Sequence, residues 1–228
     1  MNCELLTMNF LDFLFPKKCV WCGDIGSYIC ESCQRKIVFV ENPVCPVCQR
    51  QAVGGKTHPR CMTKYGLDGL VVAFRYVGPV KMGIKKIKYK WVWDIAEFIV
   101  DLFSKTIWKF SMPGDFTLVP IPLHVRRGRW RGFNQAELIC RILAKRFGVG
   151  WEDLLVRGVE TKTQVGLTRS ERRVNVRGAF EVSRSVVNGR DYMLVDDVFT
   201  TGATMAEACK MLKRAGAREV WGMAVALG

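Results

Sequence analysis

No apolar run in the 228 residues approaches the ~18 that a membrane-spanning helix needs. No G-x-x-x-x-G-K-[ST] occurs, which excludes a P-loop, and no G-x-G-x-x-G follows a strand, which excludes a dinucleotide fingerprint. Histidine is scarce. His58 and His124 are the only two; His124 follows a predicted strand and so falls near the candidate site, but a lone histidine is more often structural, and no residue presents itself as a general base. Residues 1–15 are apolar but interrupted by Glu4 and Asp12, with no basic stretch ahead and no small-residue cleavage site behind. A secretory signal is therefore not indicated, and Phe10, Leu11, Leu14 and Phe15 are expected to form a short docking helix. There is no low-complexity tract and no repeat beyond a set of cysteine pairs.

Acidic residues are also few: 21 Asp and Glu stand against 35 Lys and Arg, for a net charge of +14. The excess is concentrated. Between Leu118 and Phe180 there are thirteen basic and five acidic side chains. Such a field attracts polyanions, whether nucleic acid, diphosphate or an acidic membrane surface, and charge alone does not choose among them or against a merely soluble basic face. At 49% hydrophobic residues the chain has material for one good-sized core and a small appendage.

Cysteine is abundant, and unevenly so. Of ten, seven lie between Cys19 and Cys61. They form Cys19-x2-Cys22, Cys30-x2-Cys33 and Cys45-x2-Cys48, and the remaining Cys61 is partnered by an imidazole in His58-x2-Cys61. A two-residue gap lets both ligands of a knuckle reach one tetrahedral Zn2+. Two four-ligand sets follow, one of four thiolates and one of three thiolates with His58. The spacing is also compatible with an interleaved pairing of the knuckles. Disulfides would need an oxidising compartment, and nothing here points to secretion. With no ligand position left open, the zincs would be structural. Cys3, Cys140 and Cys209 are isolated; the last two fall on apolar helix faces and are expected to be core thiols.

A change of character near Leu67 divides the chain into a segment and head over residues 1–66 and a larger domain over 67–228. Leu70 to Val77 reads as a strand that Gly78-Pro79 breaks, and Lys81 to Lys90 as a short helix with five lysines. Asp94 with Glu97 looks like a capping box for a helix whose buried face runs through Ile95, Phe98, Ile99, Leu102 and Ile107. Leu118 to Leu123 is a strand closed by prolines. Asn134 with Glu137 caps the next helix, which Gly148 stops. Thr161 to Val182 is Arg-rich and expected to be a long mobile loop or hairpin, and Glu219 to Ala226 a final strand. Strands alternating with helices imply an α/β fold, a mostly parallel sheet flanked by helices.

The most telling stretch is Tyr192 to Thr204. An apolar strand ends in Asp196 and Asp197, a turn of Thr200, Thr201 and Gly202 follows, and a helix opens at Ala203 and Thr204. Hydroxyls, a glycine that lets backbone approach a ligand, and a helix N-terminus with its N–H groups make a phosphate cradle. A plain strand–turn–helix is the alternative. This segment resembles the phosphoribosyl-diphosphate (PRPP) signature of the type I phosphoribosyltransferases, whose turn holds the 5-phosphate.

Two further blocks fit the same family: Val119 to Leu123 running on to Arg131-Gly132-Phe133-Asn134-Gln135, and Gln164 to Leu167 followed by Arg173-Val174-Asn175-Val176-Arg177-Gly178-Ala179-Phe180. In this order, behind a cysteine-pair head, they resemble the ComF/GntX-like competence proteins over nearly the whole chain. His58 departs from the family by standing where a cysteine usually does. The resemblance implies a type I phosphoribosyltransferase-like domain behind a zinc-ribbon-like head, without the glutaminase half of the related amidophosphoribosyltransferases. It implies PRPP and Mg2+ as ligands, with Asp196 and Asp197 on the ribose hydroxyls. Arg126, Arg127, Arg169, Arg172, Arg173 and Arg177 are candidates for the diphosphate, since guanidinium forks match phosphate oxygens.

It also implies handling of incoming single-stranded DNA on the cytoplasmic side, with DNA-uptake proteins as partners. Lys85, Lys86, Lys88, Arg129, Trp130 and Arg131 are candidate DNA contacts, because aromatic rings among cations can stack bases. Two functions remain open on the sequence alone: a phosphoribosyltransferase with an unidentified acceptor, and a single-stranded DNA-binding protein that uses the fold as a scaffold.

Overall fold

The computed structural model describes residues 16–87, 93–123, 132–158, 176–183 and 188–228. The expected docking helix within residues 1–15 lies outside them. In chain order the elements are α1 (Glu31–Gln34), β1 (Gly69–Arg75), α2 (Gly78–Ile87), α3 (Trp93–Ser104), β2 (Thr117–Pro120), α4 (Gln135–Phe147), β3 (Leu155–Arg157), β4 (Phe180–Val182), β5 (Tyr192–Phe199), α5 (Ala203–Arg214) and β6 (Val220–Leu227). Strands β1, β6, β5 and β2 lie in that order in one parallel sheet, while β3 and β4 form a separate antiparallel pair.

The sheet is covered on both faces, which is why its strands are continuous apolar runs; all eight residues of β6 are buried. Side chains alternate across the sheet. Val71 and Ala73 of β1 join Met193, Val195, Met223 and Val225 under α2, α3 and α4, where Ile84, Ile95, Ile99, Phe103, Ile139 and Leu143 are buried. Leu70 and Val72 join Leu194 and Ala224 on the other face, against Met205, Ala208 and Leu212 of α5.

The cysteine-rich head adds to the free edge of β1. The Val40 N–H donates to the Ala73 carbonyl at 2.7 Å, the Arg75 N–H to the Val38 carbonyl at 2.8 Å, and the Phe39 ring meets Phe74 edge-on at 5.3 Å. Val40 and Val44 are buried in the same cluster as Leu70 and Val72.

Local readings hold in part. Gly78-Pro79 ends β1 but also starts the following helix, earlier than Lys81, because proline suits the first helical turn. Asp94 is not a cap. The helix already includes Trp93, Asp94 pairs with Lys17 at 2.8 Å, and Glu97 accepts from Trp93 Nε1 at 3.1 Å. Ile107 falls outside that helix, in a 3-10 turn over Ile107–Lys109.

Asn134 does cap α4, its Oδ1 accepting from the Ala136 N–H at 3.1 Å, and its Nδ2 donates to the Ile121 carbonyl at 3.0 Å, fastening α4 to the end of β2. Glu137 takes no part in the cap and pairs with Arg141 at 2.7 Å. Gly148 stops the helix in a left-handed conformation. Of the Thr161 to Val182 segment, the described part ends in β4.

Candidate functional site

The head brings its ligands together in sequential, not interleaved, sets. Cys19, Cys22, Cys30 and Cys33 have their sulfurs within 4.8 Å of one another, and so do the ligand atoms of Cys45, Cys48, His58 and Cys61. No disulfide occurs among the described cysteines. In the second set Cys48 Sγ lies 3.3 Å from His58 Nδ1, and His58 Nε2 reaches the Gln51 carbonyl at 2.9 Å. A proton on Nε2, donated to that carbonyl, leaves Nδ1 as the ligand atom; this outer contact orients the ring.

The thiols of each set respond to one another. Burial opposes ionisation of Cys19, but backbone N–H groups of Cys22, Cys30 and Trp21 aimed at its sulfur bring it down to about 6. Burial and the neighbouring sulfurs push Cys33 up to about 12. In the second set burial, with Cys48 and Cys45, pushes Cys61 up to about 11, while Cys45 falls because backbone N–H groups outweigh its burial. Four sulfurs this close cannot all ionise unless a cation shares them, and the donor sets suit tetrahedral Zn2+. Cys140 and Cys209 behave as core thiols, both buried, with burial pushing Cys209 up to about 12.

The second grouping stands at the carboxyl end of the sheet. Asp196 and Asp197 occupy the last half of β5, half-buried, and the Asp197 N–H donates to Asp196 Oδ1 at 2.8 Å. Thr200, Thr201 and Gly202 make the turn, with the Ala203 N–H directed at Thr201 Oγ1 at 3.4 Å, and α5 runs on through Thr204. Gly202 is the N-cap, with φ of 73°, and a Cβ there would stand 2.5 Å from the Phe199 ring. Only glycine combines that left-handed backbone with the absent side chain the ring requires. Gly202 offers no side chain to cap α5, and the first turn of the helix carries the partial positive charge that favours an anion.

Two neighbours of this turn are not evident from the motif. Tyr76, just after β1, donates its N–H to the Leu227 carbonyl at 2.8 Å, and its phenol is raised by burial and by the charge of Asp197. Gln49, the residue after Cys48, sends its side-chain Nε2 to the Thr200 carbonyl at 2.6 Å. The second knuckle thus abuts the turn. Pro46, Val47 and Cys61 line a groove of about 520 Å3 together with Thr201, Gly202 and Ala203.

Of the expected diphosphate ligands, only Arg177 is described; it is exposed, and the adjacent Gly178 N–H donates to Glu207 of α5 at 3.0 Å. Arg126, Arg127, Arg169, Arg172 and Arg173 lie outside the described residues, as do Lys88, Arg129, Trp130, Arg131 and His124. Lys85 and Lys86 are exposed in the last turn of α2. No described helix is long and apolar enough to cross a membrane.

Both groupings lie within segments that resemble known domains. A model of the double zinc ribbon domain matches residues 10–62, and a model of the phosphoribosyl transferase domain matches residues 134–227. The chain is 30% identical over 234 residues to competence protein F of Haemophilus influenzae, an alignment covering 95% of this chain and 99% of that protein. It is 31% identical over 208 residues to the DNA utilization protein YhgH of Escherichia coli, covering 85% and 88% respectively. Competence protein ComFC of Bacillus subtilis is 28% identical over 195 residues, covering 82% and 79%.

Proposed function

From this chain's membership of the ComF/GntX-like competence proteins, in the type I phosphoribosyltransferase superfamily, we propose that it binds PRPP with Mg2+ and acts in the uptake or handling of incoming single-stranded DNA during natural transformation. The observation that carries the reading is the strand–turn–helix at the end of β5: two adjacent carboxylates, a left-handed glycine, and a helix N-terminus directly after it. The turn over Thr200 to Thr204 supplies N–H groups and hydroxyls to the 5-phosphate. Asp196 and Asp197 accept hydrogen bonds from the ribose 2- and 3-hydroxyls.

The reaction open to such a pocket is displacement at the anomeric carbon. The bond from that carbon to the diphosphate oxygen breaks, its electron pair leaves with pyrophosphate, and a nucleophile of the acceptor bonds to the carbon. Positive charge develops on the ribose as the bond stretches, and the two carboxylates face it. The hard oxygen donors on and around Asp196 and Asp197 suit Mg2+, which when bound offsets the charge of the diphosphate. Arg177 and the arginines of residues 126–131 and 169–173 are the candidates to draw the leaving group away.

The head, over residues 1–66, is proposed to hold two structural zinc ions, and residues 67–228 to form the PRPP-binding domain. The workplace proposed is the cytoplasmic side of the membrane, beside the DNA-uptake machinery.

Isothermal titration with PRPP in the presence and absence of Mg2+ tests this reading. Saturable binding that depends on Mg2+ is expected, and none at millimolar PRPP would refute it. A second reading, a single-stranded DNA-binding scaffold without turnover, is favoured by the net charge of +14. It predicts binding with little sequence preference whose affinity falls steeply as salt rises. A single-strand binding curve run beside the PRPP titration separates the two.

A further inference from the structure

The first knuckle of each ligand set closes in the same way, but the residue after its second cysteine differs. In Cys19-x2-Cys22-Gly23 the Gly23 N–H closes back on the Cys19 carbonyl at 2.9 Å, with φ of 83°. In Cys45-x2-Cys48-Gln49 the Gln49 N–H closes on the Cys45 carbonyl, also at 2.9 Å, with φ of 58°. The position calls for glycine, and the second knuckle carries a side chain there instead. Gln49 is the only non-glycine residue at positive φ among those described. Strain of this kind persists where the surroundings over-determine it, and an observed outlier is a reason to look for function.

What the strained residue does is visible. Its amide crosses 151 positions of sequence to donate to the Thr200 carbonyl at 2.6 Å. That carbonyl belongs to the turn between the carboxylates of β5 and the N-terminus of α5. Holding it turned toward Gln49 fixes the peptide plane between Thr200 and Thr201, and with it the direction of the N–H that starts the cradle. The other end of the same residue is fixed by the ligand set: Cys48 is its neighbour, and Cys45 accepts its N–H.

We infer that Gln49 is a positioning residue through which the Cys45, Cys48, His58 and Cys61 set holds the 5-phosphate turn in its binding conformation. The head is then more than an appendage, because metal in its second set pre-organises an anion site in the other domain. This rests on the PRPP reading for the identity of the anion, but the mechanical link does not.

Two variants separate backbone from side chain. Gln49→Gly relieves the strain and removes the amide. Gln49→Asn tolerates positive φ but is one methylene too short to reach Thr200. In zinc-loaded protein both are expected to weaken PRPP and ribose 5-phosphate by the same factor, about five- to tenfold, as loss of one hydrogen bond to the turn would. Hydrogen–deuterium exchange of ligand-free protein is expected to quicken over residues 199–204 and to stay unchanged over β1. Cys48→Ser should reproduce the faster exchange and add nothing in combination with Gln49→Gly.

Unchanged exchange over the turn in both Gln49 variants would overturn the inference, whatever PRPP does. So would faster exchange spread equally over β1, which would mark a general loss of stability. If wild-type protein fails to bind PRPP while the turn still responds to Gln49, the link stands and the PRPP reading is the one that falls.

Discussion

Replacing Gly202 by alanine adds one carbon at the tightest point of the site. Its cost divides into two parts. An L-residue at the φ of 73° found there pays about 1–2 kcal/mol for the left-handed backbone. The new Cβ would also stand 2.5 Å from Phe199 Cζ and 3.1 Å from Cε2, on a ring only 2% exposed, and over-packing of a buried ring costs about 1–3 kcal/mol.

Gly148 supplies the control. It has a φ of 66°, and a Cβ added there would meet nothing within 4 Å, so Gly148→Ala bears the first cost alone. Together the two terms come to about 2–5 kcal/mol for Gly202→Ala; at ~2–4 °C per kcal/mol in a chain this long, its melting temperature should fall by roughly 10 °C. Gly148→Ala should fall by less than half of that. Thermal unfolding of zinc-loaded protein measures both, and a PRPP titration of each completes the test. Gly148→Ala should bind PRPP as wild type does, and Gly202→Ala should not. Equal melting losses in the two variants would refute the close-contact argument, and intact PRPP binding by Gly202→Ala would refute the role given to the turn.

Metal analysis of purified protein should return two zinc ions per chain; a value near one would retain the Cys19, Cys22, Cys30, Cys33 set and remove the His58 set. Asp196→Asn and Asp197→Asn keep side-chain shape and take away one charge each, so both should weaken Mg2+-dependent PRPP binding at least tenfold in titration; unchanged affinity in both would move the ligand elsewhere. Acid stability should depend on Asp191, whose carboxyl is held below the usual carboxylate range by Arg218 at 2.7 and 2.8 Å and by the Glu219 N–H. A depressed folded-state pKa stabilises the fold above the unfolded value of about 3.9 and ceases to do so as pH falls through the folded one. Asp191→Asn should therefore melt below wild type at pH 6, with the gap closing below about pH 4; a gap that persists at pH 2 would contradict this.

The parts of the fold legible in the sequence are those whose cause is local. Strands β1 and β6, and β5 up to Asp196, read as strands because burial on both faces makes them apolar runs. The ligand pairs are legible because a two-residue gap is the reach of a knuckle, whereas which pairs share a set emerged only from the fold. The strand–turn–helix at Asp196 to Thr204 is legible because its three parts adjoin in sequence. What was not legible depends on distant partners. Asp94 fits a capping rule, but Lys17, 77 positions earlier, holds its carboxylate, and the helix begins one residue sooner. Tyr76 carries no signal of its own until β1 pairs with β6 and its N–H meets the Leu227 carbonyl. Gln49 offered one clue, a glutamine where the sister knuckle has glycine, but its target was known only once the head was seen against the turn.

The sheet order has a consequence for how this protein is made. Strand β6 follows every other strand in sequence yet lies between β1 and β5. A nascent chain therefore carries β1 and β5 with bare edges until residues 220–227 leave the ribosome, and such edges invite pairing with other chains. The head is synthesised before β1, and its residues 38–40 give that strand an early partner on its outer side, closing one of its two edges. Chains translated without zinc lose that guard at the moment it matters most. Metal scarcity should then appear first as a lower yield of soluble protein, ahead of any change in the melting of the molecules that do fold.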